Sequence, residues 1–239
     1  MPKFKSVIEK ERQDDFWDIC ETGTAKDIQE AIASGLNVNY IYEYGSTVLM
    51  GAARKNTPDA VKVLLDAGAD IHLREQDGNT AIGWASFNPN PEIVDLLVKA
   101  GANINVGRDD GITPLMAAAK KNTPEVVSAI LTHGANPNLK DTNGMTALLY
   151  AAMNNPDAGV VNALIDGGAD DLTDNSRRTA LMLAAQWNTS DVVKALLDAG
   201  ADVKVRDNFG KTALDYAREN AKLIASDQID RMINLMKEV

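Results

Sequence analysis

The sequence predicts an all-α solenoid of about seven stacked helix–turn–helix repeats joined by short β-hairpin loops. Three observations carry that expectation. Threonines recur at Thr47, Thr80, Thr113, Thr146, Thr179 and Thr212, each 33 residues from the last, and a period of that length marks a stacked array. Glycines stand two residues earlier at Gly45, Gly78, Gly111, Gly144 and Gly210, with Arg177 breaking the series. After each threonine comes a short run rich in small residues, and in most copies a second run follows whose apolar positions recur at helical spacing.

In chain order, the first repeat (11–44) lacks the turn signature but keeps two predicted helices, around DDFWDICETG and TAKDIQEAIASG. Its charged start, Lys10-Glu11-Arg12-Gln13-Asp14-Asp15, suits an end repeat with one face in water. Full repeats follow at 45–77, 78–110, 111–143, 144–176 and 177–209. In DGITPLMAAAKKN (110–122), Gly111 supplies the positive φ of a tight turn, Thr113 caps a helix and Pro114 is pre-set for its first turn. The alanine pairs Ala52-Ala53, Ala118-Ala119, Ala151-Ala152 and Ala184-Ala185 let neighbouring helices approach closely. Asn56, Asn122 and Asn188 stop this helix, as residues that tolerate the left-handed conformation.

Thr57-Pro58, Asn90-Pro91 and Thr123-Pro124 start the second helix, and Gly35, Gly68, Gly101, Gly134, Gly168 and Gly200 end it. The last repeat (210–239) closes with Ile229, Met232, Ile233 and Met236, an apolar stripe that predicts a capping helix. The whole chain, 1–239, reads as one domain. In the repeat at 144–176, NNPDAGVVNAL gains a residue and DDLTDNSRR loses one. A distorted, shorter hairpin is expected near 170–178, a defect that an idealised consensus design would not carry.

Composition excludes several function classes. The net charge is −10, which disfavours nucleic acid as a partner. The single Cys20 makes no internal disulfide and reads as a small buried hydrophobe. No apolar run is long enough for a membrane helix. MPKFKSVIEKERQ lacks the apolar core of a secretion signal, so a cytoplasmic location is the default expectation. His72 and His133 occupy different slots in different repeats, which argues against a metal site, a catalytic constellation or a cofactor.

With its turn glycine, Thr-Pro/Ala-Leu start, alanine pair, Val-x-x-Leu-Leu helix and Gly-Ala-Asp/Asn end, the chain resembles the ankyrin repeat family over about nine-tenths of its length. It departs from the family where a histidine often follows Thr-Pro-Leu: Met50, Gly83, Met116, Leu149, Met182 and Asp215 stand there. The resemblance implies looser turns at those sites. It also implies a concave face lined by first helices and hairpin tips that binds proteins without chemistry.

The fifth residue from each cap threonine is expected to look onto that face: Gly51, Trp84, Ala117, Tyr150, Leu183 and Tyr216. The eighth set includes Arg54, Phe87, Lys120 and Met153, and Trp187 follows at a ninth position. Aromatics and methionine bury much area at little entropic cost. Trp84 with Phe87, and Tyr150 with Met153, are therefore the leading partner-binding candidates, joined by Arg54, Lys120 and Trp187. Tyr216 and Leu183 read as packing.

At the tips, Tyr44, Arg74, Arg108, Ile112 and Met145 complete the candidate set. Arg74, Arg108 and Lys140 would attract an acidic segment, opposed by Asp77, Asp109, Asp110 and Asp141. The expected function is a non-catalytic protein–protein interaction module or scaffold, monomeric when alone. The alternatives are a host-directed effector and, with less support, a small-ligand or enzymatic stack.

Overall fold

The computed structural model describes residues 2–223 and 227–237, with side chains from residue 12 onward except that of Met236. The side chains of Lys10 and Glu11, and that of Met236 in the expected capping stripe, lie outside the described residues.

The helices follow the repeat. They are α1 (Pro2–Thr22), α2 (Ala25–Ala33), α3 (Val48–Lys55), α4 (Pro58–Asp66), α5 (Ala81–Ala85), α6 (Glu92–Lys99), α7 (Pro114–Lys121), α8 (Pro124–Thr132), α9 (Ala147–Asn154), α10 (Ala158–Asp166), α11 (Ala180–Trp187), α12 (Ser190–Asp198), α13 (Ala213–Ala217) and α14 (Gln228–Lys237). The chain divides into two compact units, Met1–Asp109 and Asp110–Val239. In the first, α1, α3 and α5 stack as one layer, with α2, α4 and α6 as the other. In the second, α7, α9, α11 and α13 form one layer and α8, α10 and α12 the other; α14 lies against α12 and α13. The alanine pairs are fully buried between first helices.

Capping starts the first helices. Thr47, Thr113, Thr146, Thr179 and Thr212 each accept, through the side chain, the N–H three residues on. The residue in the family's histidine slot sits one turn in, and two of these side chains serve the turn in their own way. Asp215 accepts the Thr212 N–H at 2.8 Å, and the Met116 sulfur faces the Thr113 N–H at 3.4 Å. Gly83 leaves room that Asn79 fills: an added Cβ would lie 2.1 Å from Asn79 Oδ1, which accepts the Thr80 N–H instead.

Three expectations need correction. Asn56, Asn122 and Asn188 do end first helices, but in extended rather than left-handed conformation. Their use is tertiary: Asn188 Nδ2 donates to the carbonyls of Ala152 and Asn155, both at 2.9 Å. Asn155 donates likewise to Ala119 and Asn122, Asn220 to Ala185 and Asn188, and Asn56 to Cys20 and Gly23. The side chain thus satisfies helix-end carbonyls of the preceding repeat.

Second, no strand forms among the described residues. The tips at 42–46, 75–79, 141–145, 174–178 and 207–211 each close by one rung, such as Asp141 N–H to Met145 C=O with Gly144 N–H back to Asp141 C=O, too short for a ladder. Neighbouring tips are stitched by backbone bonds, Gln76 to Tyr44 and Asp109 to Asp77 in the first compact unit, and Thr142 to Asp110, Asn175 to Asn143 and Asn208 to Ser176 in the second.

Third, the tip carrying Arg177 is not distorted. Arg177 takes the left-handed conformation of the missing glycine, φ 61°, and the Asp174–Arg178 rung forms as elsewhere. The lost residue is absorbed earlier, where Leu172 N–H turns back to Asp170 C=O at 2.8 Å. The extra residue lengthens the α9–α10 link, and Asp157 caps α10 there.

Candidate partner-binding site

The first compact unit gathers one cluster. Trp84, at the fifth position on α5, is half-buried, and its indole N–H donates to Glu75 Oε2 at 2.8 Å. Arg54 from α3 lies over its ring at 4.7 Å, and Phe87 packs against it at 5.7 Å between centroids. Phe87 is 41% exposed. Ser46 also donates to Glu75, through the other carboxylate oxygen. One acid thereby ties a tip, a preceding-repeat hydroxyl and an aromatic platform together.

The second compact unit repeats the device. The Tyr150 hydroxyl donates to Asp141 Oδ2 at 2.7 Å, and Lys120 from α7 sits 5.6 Å from its ring centre. Asp141 Oδ1 accepts the Asn143 and Met145 N–H groups, both at 2.8 Å. Beside Tyr150 opens a recess of about 350 Å³ lined by Met145, Met153, Asn175, Ser176 and Arg178 among others. Tyr216 bonds to Asp207 in the same way and is 6% exposed, the packing role expected of it. Burial pushes the Tyr216 hydroxyl up to about 12, with the Asp207 bond adding to it.

The acid that holds each aromatic, nine residues upstream, was missed in the sequence. Glu75/Trp84, Asp141/Tyr150 and Asp207/Tyr216 recur two repeats apart, as do Arg54 and Lys120. That doubled period is the signal that would have found them.

The remaining candidates divide. Tyr44 is 70% and Trp187 54% exposed; Ile112 is half-buried at its tip. Met145 is 6% exposed, because its backbone is drawn in by Asp141, so its side chain offers only its edge to the recess. The tip cations are less available than the sequence suggested. Arg74 pairs with Asp109 at 3.5 Å and donates to the Gly107 carbonyl, and Arg108 pairs with Asp77 at 3.4 Å. Lys140 donates to the Thr173 carbonyl. The positive charge expected along the tips is largely met by neighbouring carboxylates and carbonyls.

Cys20 is buried, which pushes its thiol up to about 12, far from a reactive thiolate. Among the described residues no group of three His, Cys, Asp or Glu could hold a metal ion. No described helix is long and apolar enough to cross a membrane.

Known proteins share this pattern. A family model for ankyrin repeats matches three times, over residues 17–108, 84–170 and 155–230. The human ASB11 ankyrin repeat domain superposes with a TM-score of 0.80 at 23% identity, covering 92% of this chain and 96% of that one. The ankyrin repeat, SAM and basic leucine zipper domain-containing protein 1 of Bos taurus is 39% identical over 61 residues, 26% of this chain. The match spans only 13% of that protein's length. Matched by the family model from residue 17 to residue 230, and built of capped helix pairs with stitched tips, the chain belongs to the ankyrin repeat family.

Proposed function

We propose that the chain is a non-catalytic module that binds a protein or peptide through the fifth- and eighth-position side chains of its first helices and the adjoining tips. Ankyrin repeats are in general protein-interaction modules. The observation that carries it is the immobilised aromatic platform: Trp84 and Tyr150 are each held between an acid and a cation, with Phe87 or Met153 left at the open edge. A ring already fixed loses little freedom on binding. The repeat frame runs unbroken from Thr80 to Thr113, which supports reading the whole chain as one binding domain.

The experiment follows from the anchoring. Trp84→Ala or Tyr150→Ala would also release a tip, so Phe87→Ala and Met153→Ala are the cleaner variants. A partner captured by the wild type is identified, purified and titrated against each variant. Each substitution is expected to weaken binding by about tenfold, the cost of an anchor of about 1.4 kcal/mol, with helicity unchanged. Unchanged affinity in both variants rejects this surface.

A further inference from the structure

At the N-terminal end of the first compact unit, α1 and the loop before α3 enclose a groove of about 760 Å³. Its walls are aromatic. Trp17 meets Tyr42 edge-on, with ring centres 5.1 Å apart and planes at 63°, and Tyr40 meets Tyr42 at 4.9 Å and 75°. The Tyr42 hydroxyl donates to the Gln13 carbonyl, which fixes the central ring. Tyr44 stands at the mouth, 70% exposed. Its φ is 62°, a conformation that a bulky residue holds only where its surroundings impose it.

The groove is also acidic. Asp14, Asp18 and Glu43 line it, all three exposed, and none forms an ion pair with a described residue. Among the described residues no lysine or arginine lines it. Burial first, then negative charges that include Asp14 and Asp18, push the Tyr42 hydroxyl above its ordinary value. The protein shows nearby what such rings accept, in the guanidinium of Arg54 over Trp84.

Three classes of guest can be compared. An anion meets three carboxylates. An apolar side chain satisfies the rings but strips water from the carboxylates without replacing it. A cation is attracted by the ring faces and the carboxylates together. The space exceeds one side chain and lies in the range of sites that hold a side chain with flanking backbone. We propose that this groove receives one cationic side chain, arginine or lysine, presented by an extended basic peptide. The proposal rests on the reading of the chain as a binding module, but not on Trp84, Phe87, Tyr150 or Met153, so its failure leaves that surface standing.

The test uses the full chain and capped pentapeptides of glycine and serine with one central residue: arginine, lysine, citrulline or norleucine. Binding is read from the Trp17 indole N–H resonance and by calorimetry. The arginine and lysine peptides are expected to shift that resonance and to bind at least about tenfold more tightly than the two neutral peptides. Asp14→Asn/Asp18→Asn/Glu43→Gln is expected to lose about tenfold, while Asp59→Asn/Glu92→Gln/Asp191→Asn, of equal charge but elsewhere, stays within about twofold. Tyr44→Ala is expected to weaken the cationic peptides without altering thermal unfolding by more than a surface substitution does. Equal binding of the norleucine peptide, equal losses in the two triple variants, or no shift with any peptide at millimolar concentration would each overturn the proposal.

Discussion

The Tyr150 hydroxyl reaches back nine residues to donate to Asp141 Oδ2 at 2.7 Å, and Asp141 Oδ1 at the same time holds two backbone N–H groups of its tip. The candidate binding residue is therefore also a brace. Tyr150→Phe keeps the ring, its packing against Lys120 and its open edge, and removes only the donor. The expected cost is about 1 kcal/mol in urea unfolding, with partner affinity retained. Tyr150→Ala is expected to lose both. Equal stability of wild type and Tyr150→Phe would show that the bond contributes nothing to the tip.

The same arrangement at the C-terminal end gives a pH dependence. Burial opposes the charge of Asp207, but donation from the Tyr216 hydroxyl and the Lys211 and Phe209 amides outweighs it and holds its pKa below the ordinary 3.8. The Thr212 amide and hydroxyl lower Asp215 likewise. A carboxylate depressed in the folded state stabilises above its unfolded pKa, and that stabilisation is lost as pH falls through the folded value. Stability is expected to be flat from about pH 7 to about pH 5 and to fall below about pH 4. Asp207→Asn is expected to be the less stable protein at neutral pH, with the gap to wild type narrowing as pH falls. Urea midpoints across that range decide it, and a gap that widens in acid would contradict the assignment.

Much of the fold was legible because the repeat makes local signals add. Thr113, Pro114 and Gly111 each state one backbone requirement, and six copies in register remove the ambiguity of any one. What was not legible is tertiary. Asn188 reads as a helix stop from its neighbours alone; that its amide serves carbonyls 33 and 36 residues back follows only from stacking. Arg177 looked like a defect because a missing glycine predicts strain, whereas the tip imposes the glycine conformation on arginine. The aromatics on the candidate strip were found from their slot in the repeat, but their acid partners lie on the preceding tip and carry no signal at helical spacing. Tyr40 and Trp17 escaped notice because the first repeat lacks the turn signature that set the register elsewhere.

The asparagine ladder makes a second stability prediction. Asn188 is 4% exposed, donates to two carbonyls of the preceding repeat at 2.9 Å and accepts the Thr189 N–H at 2.8 Å. Asn188→Ala leaves those groups without partners in a site that water does not reach. A loss of about 2–4 kcal/mol is expected from two or more stranded polar groups. Asn188→Leu, of similar size, is expected to do no better, because volume is not what the site lacks. If Asn188→Leu matched wild type in urea unfolding, packing rather than hydrogen bonding would be the amide's contribution.

At Arg177 the prediction has the opposite sign. Its φ of 61° places an exposed side-chain-bearing residue where five other tips carry glycine, and the left-handed region costs such a residue about 1–2 kcal/mol. The tip holds it there because the Asp174 carboxylate anchors the Ser176 and Arg178 amides and the Arg178 guanidinium at once. Arg177→Gly removes the steric cost and leaves every one of those bonds in place. Part of the gain is returned through the greater freedom of glycine in the unfolded chain, so a net stabilisation of about 0.5–1 kcal/mol is expected. Arg177→Ala, which keeps a Cβ, is expected to gain almost nothing. Urea unfolding of the three proteins separates the effects: a stabilised alanine variant would trace the gain to loss of the arginine side chain, and a destabilised glycine variant would show that the arginine makes a contact worth more than its strain.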